Sequence, residues 1–269
     1  KNFFHRLDKY KDDVETWVGE LYLELHRGTF TTHGLVKKQN RKLEWKLRAV
    51  EMLWSCLPMK DYPAEELEIL WKKLLINQFH DIIPGSSINL VYQTTHKEYE
   101  EIHDGCDKLI LRAGQSLFQE NPDAFVLANT LSYVWKGTIS IPKSMRGYAI
   151  LDENGQPLPL QETIEGTVAA VDLAPLSFET FKKGNPIQSS MEKGDNLMLE
   201  NDFILYEFDQ QGQLISAYDK ETGKEVLGGA GNILSLYEDR PNDYDAWDVE
   251  FFYRDAFIET AKISNDIPK

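Results

Sequence analysis

Ile88, Tyr92, Thr95, Tyr99, Ile102, Cys106, Leu109 and Ala113 recur at alternating intervals of four and three. Only an α-helix brings side chains at that spacing onto one stripe. Thr95, Gly105 and Ala113 weaken the seam, so the pattern predicts a helix within a short antiparallel bundle rather than a free coiled coil. Two shorter stripes offer it partners. Leu43, Leu47, Val50, Trp54 and Leu57 form one; Leu67, Leu70 and Leu74, running on to Phe79, form the other, with Pro63 suited to open that helix. A further stripe, Val14, Trp17, Val18, Leu21 and Leu25, predicts a helix ahead of both, and His26 to Gln39 reads as a polar connection, the ordinary reading of which is a surface loop.

Near Asn121-Pro122-Asp123 the period changes. Short β-branched or alternating runs follow at 125–127, 138–141, 148–151, 168–171, 177–181, 197–200, 204–208 and 214–218. Asn154-Gly155, Gln211-Gly212 and Thr222-Gly223 mark turns between them. The fold class expected is therefore α+β and multidomain, a helical bundle over 1–122 followed by a mostly antiparallel β-sandwich over 123–269.

The formal charge of −15 would repel a phosphate backbone or an anionic lipid surface, so nucleic-acid and membrane partners are not expected. No apolar run reaches the roughly 18 residues that a membrane span requires. Cys56 and Cys106 both fall on apolar helical stripes and read as buried free thiols in a reducing compartment, hence a cytoplasmic location. The chain opens on Lys1-Asn2-Phe3-Phe4 without a signal-peptide pattern, as a fragment would.

Chemistry concentrates in two places. In Leu70 to Tyr92 the third helical stripe runs into Gln78-Phe79-His80-Asp81, Pro84-Gly85 stops it, and Ser86-Ser87 can cap the next helix. A neutral imidazole at a helix end is a good zinc ligand. One histidine is not a site, however, and a lone histidine there is more often structural. Asp81 near a helix C-terminus opposes the helix dipole, at a cost of roughly 0.3–1 kcal/mol; its ordinary role is to solvate the chain end. His96 and His103 lie seven residues apart on one helix face, about 10.5 Å, too far to share a zinc ion. The second place is Glu238 to Glu250, with six carboxylates and one arginine interleaved with Tyr244 and Trp247. Such a run is usually a solvated face. Aromatic rings beside carboxylates also suit a sugar, whose C–H faces stack while its hydroxyls donate. Tyr244, Asp245 and Asp248 are the candidates there, with Arg27 a weaker one.

Several motifs, in order along nearly the whole chain, resemble the glycoside hydrolase family 38 α-mannosidases of the bacterial and cytosolic branch. They are Glu20 to Thr32 (ELYLELHRGTFTT), Asn40 to Glu44 (NRKLE), Asn77 to Ser86 (NQFHDIIPGS), Asn129 to Ser132 (NTLS), Glu200 to Phe203 with Gly212 to Lys220, and Glu238 to Asp248 (EDRPNDYDAWD). The resemblance implies a retaining, zinc-dependent exo-mannosidase, of which this chain covers the helical middle domain and the first part of the C-terminal β domain. The barrel-like N-terminal domain, with the nucleophile and most zinc ligands, is expected to lie outside it.

The resemblance makes His80 the middle domain's ligand to one zinc ion and Asp81 a binder of mannose hydroxyls. It adds Tyr244, Asp245 and Asp248 as substrate contacts; Asn77 and Gln78 read as residues that orient the backbone or His80. It assigns no catalytic residue to this chain, which is expected to be inactive alone. The implied partners are a mannose-containing oligosaccharide and the N-terminal domain of the same chain, with a homo-oligomer left open. The alternative function is a non-catalytic carbohydrate-binding or interaction module.

Overall fold

In a computed structural model, the structure describes residues 2–19, 24–187 and 197–261. Helix α1 is short, Asn2–Leu7, and a 3-10 stretch, Asp8–Asp13, follows it. The helix expected from Val14 onward does not form. The chain is extended at Val14, Gly19 takes φ 135°, and Val14, Trp17 and Val18 are largely exposed. Helical spacing without burial leaves the costly helix nucleus unsupported. Leu21 lies outside the described residues, and Leu25 enters a 3-10 stretch, Glu24–Phe30.

The bundle consists of α2 (Gly34–Ser55), α3 (Ala64–Asn77) and α4 (Asn89–Leu117). Helix α2 starts inside the expected polar connection, so that connection ends at His33. Ion pairs and hydrogen bonds fix the directions. Arg112, late in α4, pairs with Glu66, early in α3, at 2.8 Å. Asn77, at the end of α3, donates to Glu98, early in α4, at 2.6 Å. These two helices are therefore antiparallel. Trp71 donates to Glu51 at 3.0 Å and Gln78 to Asn40 at 3.0 Å, which sets α2 antiparallel to α3 as well. The seam from Tyr92 to Ala113 is buried at every expected position and packs on Leu43, Leu47, Val50, Leu67 and Leu74. Burying each large aliphatic side chain of this kind stabilises by about 1.5–3 kcal/mol. Ile88 is the exception on the seam, since it sits at the α4 N-cap and is exposed. The two thiols also separate. Cys106 is buried in the seam, but Cys56 sits just past the end of α2 and is exposed.

Helix α4 ends at Leu117 and the first strand begins at Ala124. Six strands make a small sandwich: β1 (Ala124–Asn129), β2 (Trp135–Ser140), β3 (Tyr148–Leu151), β4 (Leu160–Thr163), β5 (Gly166–Leu173) and β6 (Ser177–Pro186). They pair antiparallel as two three-stranded sheets, β1-β6-β3 and β2-β5-β4. Ile150 and Phe181 from the first sheet meet Ala169, Val171 and Leu173 from the second. The Asn129 side-chain amide lies 3.1 Å from the Leu173 carbonyl and 2.8 Å from that of Ala174, which ties the end of β1 to the end of β5. Arg48 of α2 donates to the Thr130 carbonyl at 3.0 Å and joins bundle to sandwich.

Beyond the sandwich, β7 (Met198–Glu200), β8 (Ile204–Phe208), β9 (Leu214–Asp219) and β10 (Lys224–Glu225) form a sheet in the order β10-β9-β8-β7. A separate pair joins β11 (Ser235–Tyr237) and β12 (Phe257–Thr260). Strands β4, β10, β11 and β12 were not expected. They run for two to four residues, too short for a period of two to show, and β10 is wholly charged. The class is thus α+β, helices followed by antiparallel sheets. No described helix is long and apolar enough to cross a membrane.

Candidate functional site

The helical period stops at Asn77, four residues short of Asp81, and its end is held by side chains rather than by Pro84-Gly85. The Asn77 amide donates to the Lys73 carbonyl at 2.8 Å and to Glu98 Oε2 at 2.6 Å. The Gln78 amide donates to Asn40 Oδ1 at 3.0 Å and to Glu44 Oε1 at 2.9 Å. These two residues therefore anchor the end of α3 to α4 and α2. Among the described residues, neither side chain bonds to His80. Close to this knot the Tyr99 hydroxyl is buried without a hydrogen-bond partner among the described residues. Burial, with Glu44 and Glu98 nearby, pushes its pKa up to about 12.

From Gln78 the chain enters a tight double turn. The amides of Ile82 and Ile83 both donate to the Phe79 carbonyl, and Gly85 donates to that of Ile82. Gly85 takes φ 97°, and a Cβ there would stand 2.6 Å from Thr32 Cγ2. Glycine is thus required twice over, by conformation and by space. Ser86 and Ser87 do not cap α4, since Ile88 occupies the N-cap and no side chain bonds there. They brace the turn instead. The Ser87 amide donates to the Tyr92 hydroxyl at 2.8 Å, and that hydroxyl lies 3.3 Å from the carbonyls of Asp81 and Ile82. The Ser86 hydroxyl lies 3.4 Å from Asp81 Oδ1. His33 stacks on the Tyr92 ring at 3.8 Å.

On this braced turn His80 and Asp81 face outward. Their side chains are 78% and 47% exposed, and His80 Nε2 stands 3.5 Å from Asp81 Oδ2. The Phe79 ring flanks the imidazole at 4.1 Å and is itself exposed, as are Leu75, Ile76, Ile88 and Leu90 nearby in sequence. A metal ion bound through protein side chains alone needs three or four donors. Among the described residues no group of three histidine, cysteine or acidic side chains is placed to hold a metal ion. His80 with Asp81 therefore does not make a complete metal site among the described residues.

A short loop connects the acidic run to the turn. Tyr244, at φ 58°, accepts at its carbonyl from the amides of Trp247 (2.7 Å) and Asp248 (3.0 Å). This curls Tyr244 to Asp248 into a compact loop in which the Tyr244 ring stacks on Trp247 at 5.7 Å. The Gly28 amide donates to the Trp247 carbonyl at 2.8 Å, and His26 lies against the Trp247 ring at 4.8 Å. A Cβ on Gly28 would come within 3.0 Å of the Trp247 backbone, so the close approach depends on glycine. The Thr32 hydroxyl lies 2.7 Å from the Gly28 carbonyl and 3.0 Å from that of Ala246. Thr32 thus touches Gly85 on one side and Ala246 on the other. Tyr244 and Asp245 are exposed, and Asp248 is half-buried, its Oδ1 accepting from the Val249 amide at 2.9 Å. Residues 26–32 are therefore a spacer between the two candidate segments, more than a plain surface loop. Sequence reasoning did not assign this role to Gly28, Thr32, Gly85 or Tyr92. The Thr31-Thr32 pair between two glycine-bearing motifs was the signal available.

Two family models of neighbouring domains match in this order. Residues 24–117 match the alpha mannosidase middle domain, and residues 199–267 match the glycosyl hydrolases family 38 C-terminal domain. The chain belongs to glycoside hydrolase family 38. Alpha-mannosidase 2C1 of Homo sapiens is 32% identical over 97% of this chain, and Alpha-mannosidase G of Dictyostelium discoideum is 30% identical over 93%. The chain spans 25% and 27% of their respective lengths. A solved alpha-mannosidase from Enterococcus faecalis V583 superposes with a TM-score of 0.60 at 18% identity, over 92% of this chain and 35% of that one, and so shares its fold. These family 38 relatives are glycoside hydrolases. The chain corresponds to the middle and C-terminal portions of the family, and the turn that carries His80 lies within its middle-domain match.

Proposed function

We propose that this chain is the part of a retaining, zinc-dependent α-mannosidase that completes a metal and sugar site, and that it has no turnover alone. The observation that carries this reading is the His80-Asp81 turn. A turn with a braced backbone presents an imidazole and a carboxylate outward, with exposed Leu75, Ile76 and Phe79 just before them in sequence. Exposed side chains on a firmly held backbone suit a site finished by another protein surface. In this reading His80 holds one zinc ion through a ring nitrogen, and the remaining donors come from the N-terminal domain of the same protein. Asp81 accepts hydrogen bonds from mannose hydroxyls, its direction set by Ser86. The Tyr244 ring, with Asp245 and Asp248, lines the rim. Zinc, when bound, would hold ring hydroxyls and favour distortion toward the oxocarbenium-like state. The pair of carboxylates that a retaining glycosidase needs is assigned to the N-terminal domain. Two unpaired thiols suit a reducing, cytoplasmic setting.

The test uses the full-length protein. His80→Ala is expected to lower zinc content and aryl α-mannoside turnover together, turnover by at least 10–100-fold, since loss of a ligand should cost no less than loss of its outer-shell support. Zinc retained with activity within about threefold of the parent would overturn the ligand assignment. Turnover of the same substrate by this chain alone, abolished by Asp81→Asn, would overturn the division of labour between the domains.

A further inference from the structure

One lysine near the turn is unlike the others. Lys37, in the first turns of α2, makes no ion pair among the described residues, and its Nζ is surrounded by backbone oxygens. It donates to the carbonyls of Thr32, Ile83 (2.8 Å) and Pro84 (3.2 Å). Three acceptors match the three protons of an ammonium group. Burial holds its pKa below the usual lysine value. The three carbonyls belong to two separate segments. Ile83 and Pro84 lie in the turn that carries His80 and Asp81. Thr32 ends the spacer whose hydroxyl reaches Ala246 and whose Gly28 amide holds Trp247.

We propose that Lys37 is a positioning residue that locks the His80-Asp81 turn and the Tyr244 to Asp248 loop into a single unit through Thr32. The inference rests on the reading of these two segments as parts of one sugar site, and deepens it by naming what sets their separation. Apart from the clamp, Thr32 packs against Gly85, and His33 stacks on Tyr92, whose hydroxyl lies beside the Asp81 and Ile82 carbonyls. Loss of the three Lys37 bonds is expected to loosen the rim relative to the turn. A guanidinium does not replace the ammonium. Its donors spread in a plane, while the three carbonyls converge on a point.

The test has one arm that does not depend on activity. In this chain, Lys37→Met is expected to speed amide exchange about tenfold in both 79–87 and 244–248, while the α4 amides from Ile102 to Leu109 keep their protection. Lys37→Arg is expected to behave as Lys37→Met does. Faster exchange in 79–87 alone, or equally throughout α4, overturns the proposal, because Lys37 then serves only the turn or only the bundle. In the full-length enzyme Lys37→Met is expected to raise KM about tenfold with zinc content retained. Changed exchange with unchanged KM would leave a structural clip and overturn the positioning role. Should Lys37→Met fail to fold, Thr32→Val removes the hydroxyl shared between the Gly28 and Ala246 carbonyls and is expected to loosen 244–248 and the spacer while 79–87 keeps its protection; no change in 244–248 overturns the link. Since exchange is read without substrate, failure of the clamp and failure of the mannosidase reading give different results.

Discussion

The helical bundle and the last two sheets use apolar residues of the same kinds to opposite ends. In α2, α3 and α4 the apolar stripes close on one another, and Leu43, Leu47, Leu74 and Ile102 are fully enclosed. In β7 to β12 a single apolar side chain, Ala217, is buried. Leu199, Phe203, Ile215, Val226, Leu236 and Phe257 remain largely exposed. An element that finds its partners within the same stretch of chain hides its stripe. Strands that form no closed core of their own leave theirs open, and so contribute little to the stability of this chain.

The widest gap between the regions is expected from core truncation. Leu74→Ala should destabilise the chain by about 2–5 kcal/mol, read from the urea midpoint. Ile215→Ala on β9 should shift the same midpoint by no more than about 0.5 kcal/mol. Similar losses at both sites would break the contrast. Next in size is Gly85→Ala, which combines a left-handed backbone with a clash against Thr32 and should cost about 1–3 kcal/mol. If the turn tolerated alanine without loss, its rigidity would have another origin.

A subtler effect sits in the polar knot beneath the turn. Tyr99→Phe removes a buried hydroxyl that has no partner among the described residues, so near neutral pH it should be neutral or stabilising by up to about 1 kcal/mol. At high pH the variant should gain further on the parent. The folded pKa of Tyr99 is raised to about 12, above its ordinary value of 10.0. Its contribution is therefore fully present below pH 10 and is lost progressively as the pH climbs toward 12. Near pH 11 the parent should have lost on the order of 1 kcal/mol more than Tyr99→Phe, read as the difference between their urea midpoints.

Legibility followed the same divide. The α4 seam could be read residue by residue because a long helix buried on one face writes its period into the sequence, and Tyr92 to Ala113 all obey it. The stripe from Val14 to Val18 had the spacing without the burial, and no helix formed there. The short strands β10 and β11 left no periodic trace. At the site, the motif singles out His80 and Asp81 but reads as helix up to them, whereas α3 ends at Asn77, because the side chains of Asn77 and Gln78 tie that end to the neighbouring helices. The spacer 26–32 and the Lys37 clamp were not legible. Their contacts run through backbone carbonyls and through glycines whose value is the side chain they lack. Lys37 beside Lys38 reads in the sequence as an ordinary charged surface.

The separation of the two thiols supplies a built-in reporter. Cys56 lies exposed at the end of α2, whereas Cys106 is enclosed at the middle of the α4 seam, where burial pushes its thiol up to about 11. A thiol-reactive dye offered to the folded chain should therefore consume one equivalent quickly and then stall. The second equivalent becomes available only when the bundle opens. Its labelling rate would clock, at a single atom, how often the helices that carry the His80-Asp81 turn come apart, and would do so without substrate or metal.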